Sequence, residues 1–244
     1  MPRLRTPIGT ALIGAALLAS LTACGTDSTK DDHVAYTPLT KATFGKEVAA
    51  ATADEETVHV GGDLGGQKLD MWMEIGKDAA STSMKGGMGT SEVLLVDGTF
   101  YTRQKGDAKW SELPPEFSKT MTGTLEDMSP EKMASDYAKS LETLSYKGDK
   151  KVGGESLHSY DLTLDQDYAL AKMRKQAQAL GMDPSTLKAK DLPEMSYSVL
   201  LDDDNLMRRL EIEVGGQNTV MTMDHWGDDV DIKAPAADEV TQVS

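Results

Sequence analysis

Apolar and polar residues alternate along much of the chain, and the alternation breaks at short intervals where turn-forming residues cluster. In Lys68 to Ile75, Leu69, Met71, Met73 and Ile75 fall on one side and Lys68, Asp70, Trp72 and Glu74 on the other. This period of two is what a strand with one buried face requires. Val58 and Val60 alternate around His59 just upstream, and "LGGQ" (64–67) reads as a two-residue hairpin turn between the two strands. "EVLLVDGTFYTR" is a pair of short strands joined by Asp97-Gly98, residues that tolerate the positive φ angles of a tight hairpin. Further strands are predicted near 145–152 and 155–164, joined through Gly153-Gly154, with Tyr160, Leu162 and Leu164 on one face. A meander closes the chain: "MSYSVLL" (195–201), a turn at Asp202 to Asn205, "LMRRLEIEV" (206–214), a turn at "GGQN", and "TVMTMDHW" with Met221 and Met223 on a single face.

The period lengthens in three places. Over about 41–53, Phe44, Val48 and Ala51 share a helical face, and Asp54 follows as a stop. Ser129-Pro130-Glu131 supplies an N-cap, a first-turn proline and an acid near the positive end of the helix dipole. The helix they start runs to about Leu144 with Met133, Tyr137, Leu141 and Leu144 in one stripe. Asp165 caps a third helix over about 166–180, its inward side carrying Ala169, Met173, Ala177 and Leu180, with Gly181 as its C-terminal stop. About ten hairpin-linked strands with three helices grouped between them predict an α+β domain built on a large antiparallel sheet.

The N-terminus is of another kind. Arg3 and Arg5 precede sixteen uncharged residues, Ile8 to Ala23, too short and too rich in Ala, Gly and Thr for a permanent membrane span of about 20 apolar residues. This is the layout of a secretory signal. Leu21-Thr22-Ala23-Cys24 looks like a bacterial lipobox, at which a diacylglyceryl group joins the thiol before the signal is cut. Cys24 is the one cysteine of the 244 residues, so it has no partner for an internal disulfide and no redox or zinc motif around it. The expected organisation is a lipoprotein signal peptide (1–23), a flexible tether (24–39) and a single domain (40–244). The expected location is the outer face of the cytoplasmic membrane, held by acyl chains on Cys24.

Charge narrows the partners. The formal net charge is −15, and loss of Arg3 and Arg5 with the signal would make it −17. No nucleic-acid partner is expected for such a surface, and electrostatic adhesion to anionic lipid is not expected either. Catalytic and metal motifs fail on their spacing. His33, His59, His158 and His225 are far apart in sequence, and "DDDN" (202–205) continues with Leu206 where a calcium loop needs another oxygen ligand. "GGMG" (86–89) lacks the later Gly-Lys-Ser/Thr of a phosphate loop and reads as a flexible loop. No enzyme activity, cofactor or metal is expected. Methionine stands out instead: fourteen against three phenylalanines, several on the apolar faces above. Unbranched, polarizable side chains adapt to flexible alkyl ligands as readily as they fill cores.

The segments "VLLVDGTFYTRQKGDAKWSEL", "VGGESLHSYDLTLD", "MSYSVLLDDDNLMRRLEIEV" and "MDHWGDDVDIKAPAADEV" resemble, in order and character, the actinobacterial LppX/LprG lipoprotein family. The resemblance is carried by Asp97, Gly98, Tyr101 and Trp110, and by Trp226, Gly227, Val230, Asp231, Ile232, Ala234 and Pro235. It implies a LolA-like fold, a strongly curved antiparallel sheet left open as a half-barrel with helices on its concave face. It also implies, for some members, an apolar cavity between sheet and helices that holds lipid or glycolipid tails. No short ligand motif transfers with it. Combined with the methionine faces, it makes Leu69, Met71, Met73, Met133, Leu141, Met173, Leu180, Met221 and Met223 the candidate lining. The expected function is lipid or glycolipid binding and carriage beside the membrane. The alternative is an envelope protein-interaction or sensing module, with a protein partner and a filled core.

Overall fold

The computed structural model describes residues 36–64, 66–76, 82–119, 130–179, 183–188 and 195–242. Among them the hairpins join into one twelve-stranded sheet. Its strands are β1 (Thr57–Leu64), β2 (Gln67–Glu74), β3 (Ser83–Met88), β4 (Ser91–Val96), β5 (Thr99–Gln104) and β6 (Trp110–Glu112). They continue with β7 (Leu141–Val152), β8 (Glu155–Leu164), β9 (Met195–Leu201), β10 (Met207–Val214), β11 (Gln217–Asp224) and β12 (Val240–Gln242). The spatial order is β12-β6-β5-β4-β3-β2-β1-β11-β10-β9-β8-β7, open at both ends. Every pairing is antiparallel except β12 on β6. The fold is α+β with an unclosed antiparallel sheet, as the alternation and hairpin spacing require. The sheet has twelve strands where about ten were predicted, since β3, β6 and β12 carry too little alternation to be seen in the chain.

One of those three corrects an expectation. Gly86 and Gly87 lie inside β3, paired with Met71 and Asp70, so the "GGMG" stretch is strand rather than flexible loop. A Cβ at position 86 would sit 2.2 Å from the Asp70 carbonyl oxygen, so β3 approaches β2 more closely than any side chain permits. Gly86 marks the close approach, and the turn comes afterwards at Gly89, where φ is +62°.

Among the described residues, the helices of ten or more residues that accompany the sheet are α1 (Phe44–Ala53), α2 (Pro130–Ser140) and α3 (Gln166–Ala179). Asp165 caps α3 as expected, its carboxylate accepting the Tyr168 backbone N–H at 2.8 Å. The second helix is shorter than its apolar stripe suggested. It stops at Ser140, and Leu141 and Leu144 begin β7, opposite Leu164 and Leu162. A ladder along the whole of β8 satisfies more backbone groups here than one further helical turn would. The α1 and α2 backbones meet at Gly45, where an added Cβ would lie 2.7 Å from the Tyr137 Cβ, and the Phe44 and Tyr137 rings meet edge to face at 5.4 Å.

The strand registers put Leu69, Met71, Met73, Val58, Val60, Met221, Met223, Leu210, Val199, Tyr160 and Leu162 on one face. The main core lies there: Phe44 and Val48 of α1 pack with Leu141, Tyr160, Leu162, Val199, Leu201 and Met207. A second cluster, Met84, Leu95 and Phe100, occupies the same face toward β4 and β5, with Met71 and Met73 against it. On the opposite face Leu94, Val96 and Trp110 are covered by Val230 and Ile232 of the C-terminal segment, with Trp72 and Tyr101 alongside.

Both ends of the domain are strapped down. Tyr36 stacks flat on His158 with ring centroids 3.3 Å apart, its hydroxyl lies 2.7 Å from that of Tyr160, and the Leu39 N–H donates to Tyr160 at 2.8 Å. The packed chain therefore reaches back to Tyr36, into residues assigned to the tether from sequence. The interval 202–205 is the expected turn: the Asp202 carboxylate accepts the N–H groups of Asp204 and Leu206, and Asn205 takes φ +66°.

Candidate functional site

Helices α2 and α3 and the ends of β8 and β9 border a cavity of about 340 Å³ that is open to solvent on one side. Sequence alternation places Leu164 on the inward face of β8, and Met195 and Tyr197 on that of β9. Helical spacing places Tyr137 on α2 and Ala169 and Met173 on α3. Its volume lies at the small end of the roughly 300–1,000 Å³ that ligand sites occupy. Burial pushes the Tyr137 hydroxyl up to about 12, with Tyr197 adding to it, and burial raises Tyr197 as well. Both phenols therefore stay neutral at ordinary pH, and this wall of the cavity is uncharged.

One side is charged. Asp136 of α2 accepts from Lys132 at 2.6 Å, from Lys172 of α3 at 2.6 Å and from the Tyr168 hydroxyl at 2.7 Å. Burial opposes its charge, but these three donors outweigh that and hold the carboxyl well below the usual range. Asp136, Tyr168 and Lys172 all line the cavity.

A larger hollow, about 570 Å³, lies on the other face of the sheet across β7 to β11. Its floor is Ser145, Asp161, Thr163, Ser196, Ser198 and Glu211, hydroxyls and carboxylates on the polar side of the alternation. Size alone would favour it, but its chemistry is that of a hydrated surface, so the smaller cavity is the candidate for an apolar ligand.

The predicted lining residues divide. Met173 lines the cavity. Leu69, Met71, Met73, Met221 and Met223 are half-buried in adjacent rows of the same sheet face: Met71 and Met223 flank Val60, and Leu69 and Met221 flank Gly62. Leu141 is 4% exposed and belongs to the core packed on α1. The Met133 side chain, Leu180 and Cys24 lie outside the described residues, as do the Ser129 cap and Gly181 stop. Sequence reasoning passed over Met195, Tyr168, Asp136 and Lys172. The spacing of Lys132 and Asp136, four residues apart on a helix, was readable. The approach of Lys172 from 36 residues away was not.

Among the described histidines, His59 and His158 tie strands and segments together. His59 lies on the outer face between Asp224 (2.6 Å) and Asp70 (3.0 Å), bridging β11, β1 and β2, with Trp72 and His225 beside it. His158 lies between Asp149 and Asp203, each at 2.9 Å, under Tyr36. Among the described residues no group of three or more His, Cys, Asp or Glu could hold a metal ion. No described helix is long and apolar enough to cross a membrane.

The architecture has solved counterparts. LprF from Mycobacterium bovis superposes with a TM-score of 0.57 at 15% identity, over 81% of this chain and 97% of that one. The Mycobacterium tuberculosis lipoprotein LppX superposes at 0.51 and 16% identity, over 79% of this chain and 98% of that one. The chain thus has the fold of the LppX/LprG-type lipoproteins. No protein-family model matches it, and no curated protein matches it.

The residues that suggested this family now have a physical place. Asp97 and Gly98 take φ +49° and +73° in the β4–β5 turn. Tyr101, Trp110, Val230 and Ile232 meet in the outer-face cluster, where the C-terminal segment crosses the sheet. They are scaffold residues, remote in role from the cavity.

Proposed function

We propose that this chain is an extracytoplasmic lipoprotein, anchored through a diacylglyceryl group on Cys24 at the outer face of the cytoplasmic membrane, that binds lipid or glycolipid tails between sheet and helices. The observation that carries the reading is the cavity walled by Tyr137, Leu164, Met173, Met195 and Tyr197, on the face that also bears the half-buried methionine rows. A tail laid there leaves water for apolar surface at about 25 cal/mol per Å². The soft thioethers let chains of different length and unsaturation fit without a fixed shape. Carriage follows from reversibility: a site that gains affinity from area rather than from directional bonds releases its cargo to any equally apolar acceptor. The unfilled space beside the helices favours this reading over a module with a filled core.

Native mass spectrometry of the full chain purified from its host, followed by lipid extraction, tests the reading. A stoichiometric lipid adduct is expected. A clean apo mass, unchanged after incubation with envelope lipids, would overturn it. Charged residues in place of Met71 and Met73 should lower adduct occupancy, and intact folding with undiminished binding would remove those two from the lining. Anchoring has its own check: Cys24→Ser should move the chain from the membrane to the soluble fraction.

A further inference from the structure

Nearly all of the chain's sulfur is methionine, fourteen residues against one cysteine, and burial divides the methionines of the sheet. Met84 and Met207 are each 6% exposed, packed into the two clusters of the inner face. Met71, Met73, Met221 and Met223 stay half-buried on that same face, in rows that run across β2, β1 and β11. Two of the residues paired with them are glycines, Gly86 beside Met71 and Gly62 beside Met221, which offer no side chain to cover a thioether. The other recorded partners are Val58, Val60, Leu210 and Met84, none of which carries an N–H or O–H on its side chain. A thioether in these rows is open to a small oxidant from water, and once oxidised it finds no donor among these partners for its new oxygen.

We propose that Met71, Met73, Met221 and Met223 form a peroxide-sensitive modification site whose oxidation switches tail binding off. The modification stands on the methionines alone, and its effect rests on the tail-binding reading above. In each step a sulfur lone pair attacks one oxygen of hydrogen peroxide. The S–O bond forms as the O–O bond breaks, and the departing hydroxide takes the proton of the transferred oxygen and leaves as water. The thioether is oxidised by two electrons to the sulfoxide, and the peroxide is reduced by the same two. A polar acceptor then stands where a deformable apolar side chain stood, so a tail laid on the row would bury a sulfoxide oxygen without a partner. Methionine sulfoxide reductase reverses the step with a dithiol, the oxygen leaving as water and the dithiol becoming a disulfide. Met88, 41% exposed and paired with Leu69 at the margin of the rows, should oxidise along with them.

The test begins with the full chain, stripped of bound lipid and treated with hydrogen peroxide for increasing times, then mapped by peptide mass spectrometry. Oxidation at the four row methionines should run at least about fivefold faster than at Met84 and Met207, since susceptibility follows exposure. Equal rates at all six would overturn the site. Native mass spectrometry titration with dodecanol then compares untreated and oxidised chains, with folding followed by circular dichroism. Binding should weaken about tenfold on oxidation and return after treatment with both stereochemical classes of reductase. Unchanged affinity, or a loss the reductases do not restore, would overturn the switch and leave tail binding intact. Loss of the folded signal on oxidation would also overturn it, as damage rather than switching. An untreated chain that binds no dodecanol would overturn the tail reading itself, while the oxidation map is judged separately. A variant combining Met71→Leu, Met73→Leu, Met221→Leu and Met223→Leu should keep whatever dodecanol affinity it has when peroxide is added. A peroxide-induced loss as large as in the unsubstituted chain would overturn the assignment to the rows in favour of Met173 and Met195, and the oxidation map needs no variant to fold.

Discussion

Two regions of the sheet's apolar face, one toward its β7 edge and one at its centre, are built from different materials. Where α1 covers β7 to β10 the packing is aromatic and closed: Tyr160 and Phe44 are fully buried, their rings 5.6 Å apart, and Val199 and Leu201 fill the gaps. Around β1, β2 and β11 the same face carries rows of methionine that stay half-buried. Stiff rings with few rotamers hold α1 and the N-terminal strap in one position. Flexible thioethers leave a surface that can deform. One sheet thus combines a fixed region with a compliant one, and α2, which borders the cavity, packs on α1 in the fixed region.

Substitutions in the two regions should differ in cost. The largest effect is expected for Tyr160→Ala, about 3–5 kcal/mol in urea unfolding, since it empties the centre of the aromatic core. Tyr160 also accepts the Leu39 N–H, so the strap should loosen with it and Leu39 should gain hydrogen exchange. Next comes Gly45→Ala, which drives a methyl group into the Tyr137 Cβ and should cost about 1–3 kcal/mol despite alanine's better helix propensity. Met71→Leu in the compliant region should cost under about 1.5 kcal/mol, because the volume is kept and the surroundings yield. A cost equal to that of Gly45→Ala would erase the distinction between the regions.

The smallest effect concerns pH. Burial works against a charged His59, but Asp70 and Asp224 outweigh it and raise the ring's pKa above its ordinary value near 6.5. A raised folded-state pKa gives stability that is fully present below about 6.5 and is lost as pH rises through the higher folded value. The urea midpoint should therefore fall modestly from pH 6 to pH 8, and His59→Gln should flatten that slope. An unchanged slope in the variant would place the pH response elsewhere.

What could be read in the chain was whatever repeats locally. Alternation exposed β2, β8 and the closing meander, and Asp97-Gly98 and the Asp202–Asn205 turn marked their hairpins. It failed where a local pattern had two meanings. Gly86-Gly87 signals a turn in most chains but here permits a close strand crossing, and Leu141 and Leu144 fit a helical stripe as well as the strand they occupy. The cavity was legible by half. Tyr137, Met173 and Tyr197 stood on predicted apolar faces, whereas the meeting of Asp136 with Lys172 depends on how two helices dock, which no local period encodes. Tyr36 was lost to the tether because its partners, His158 and Tyr160, lie more than 120 residues away.

The pairing of β1 with β11 also sets a timetable. Val60 meets Met223 across a loop of some 160 residues, while the pairings within β1 to β6 and from β7 to β11 are between chain neighbours or close to it. Closing so long a loop is entropically costly and is compensated only when the whole seam zips, which makes it a slow step. The two half-sheets can form early, and the wall of methionines that spans the seam is complete only once both ends of the chain are in hand. Stopped-flow refolding should show Trp72, beside β1, reaching its native signal later than backbone circular dichroism, and simultaneous phases would contradict this order. A chain emerging from its N-terminus would stay incomplete until residue 224 had followed.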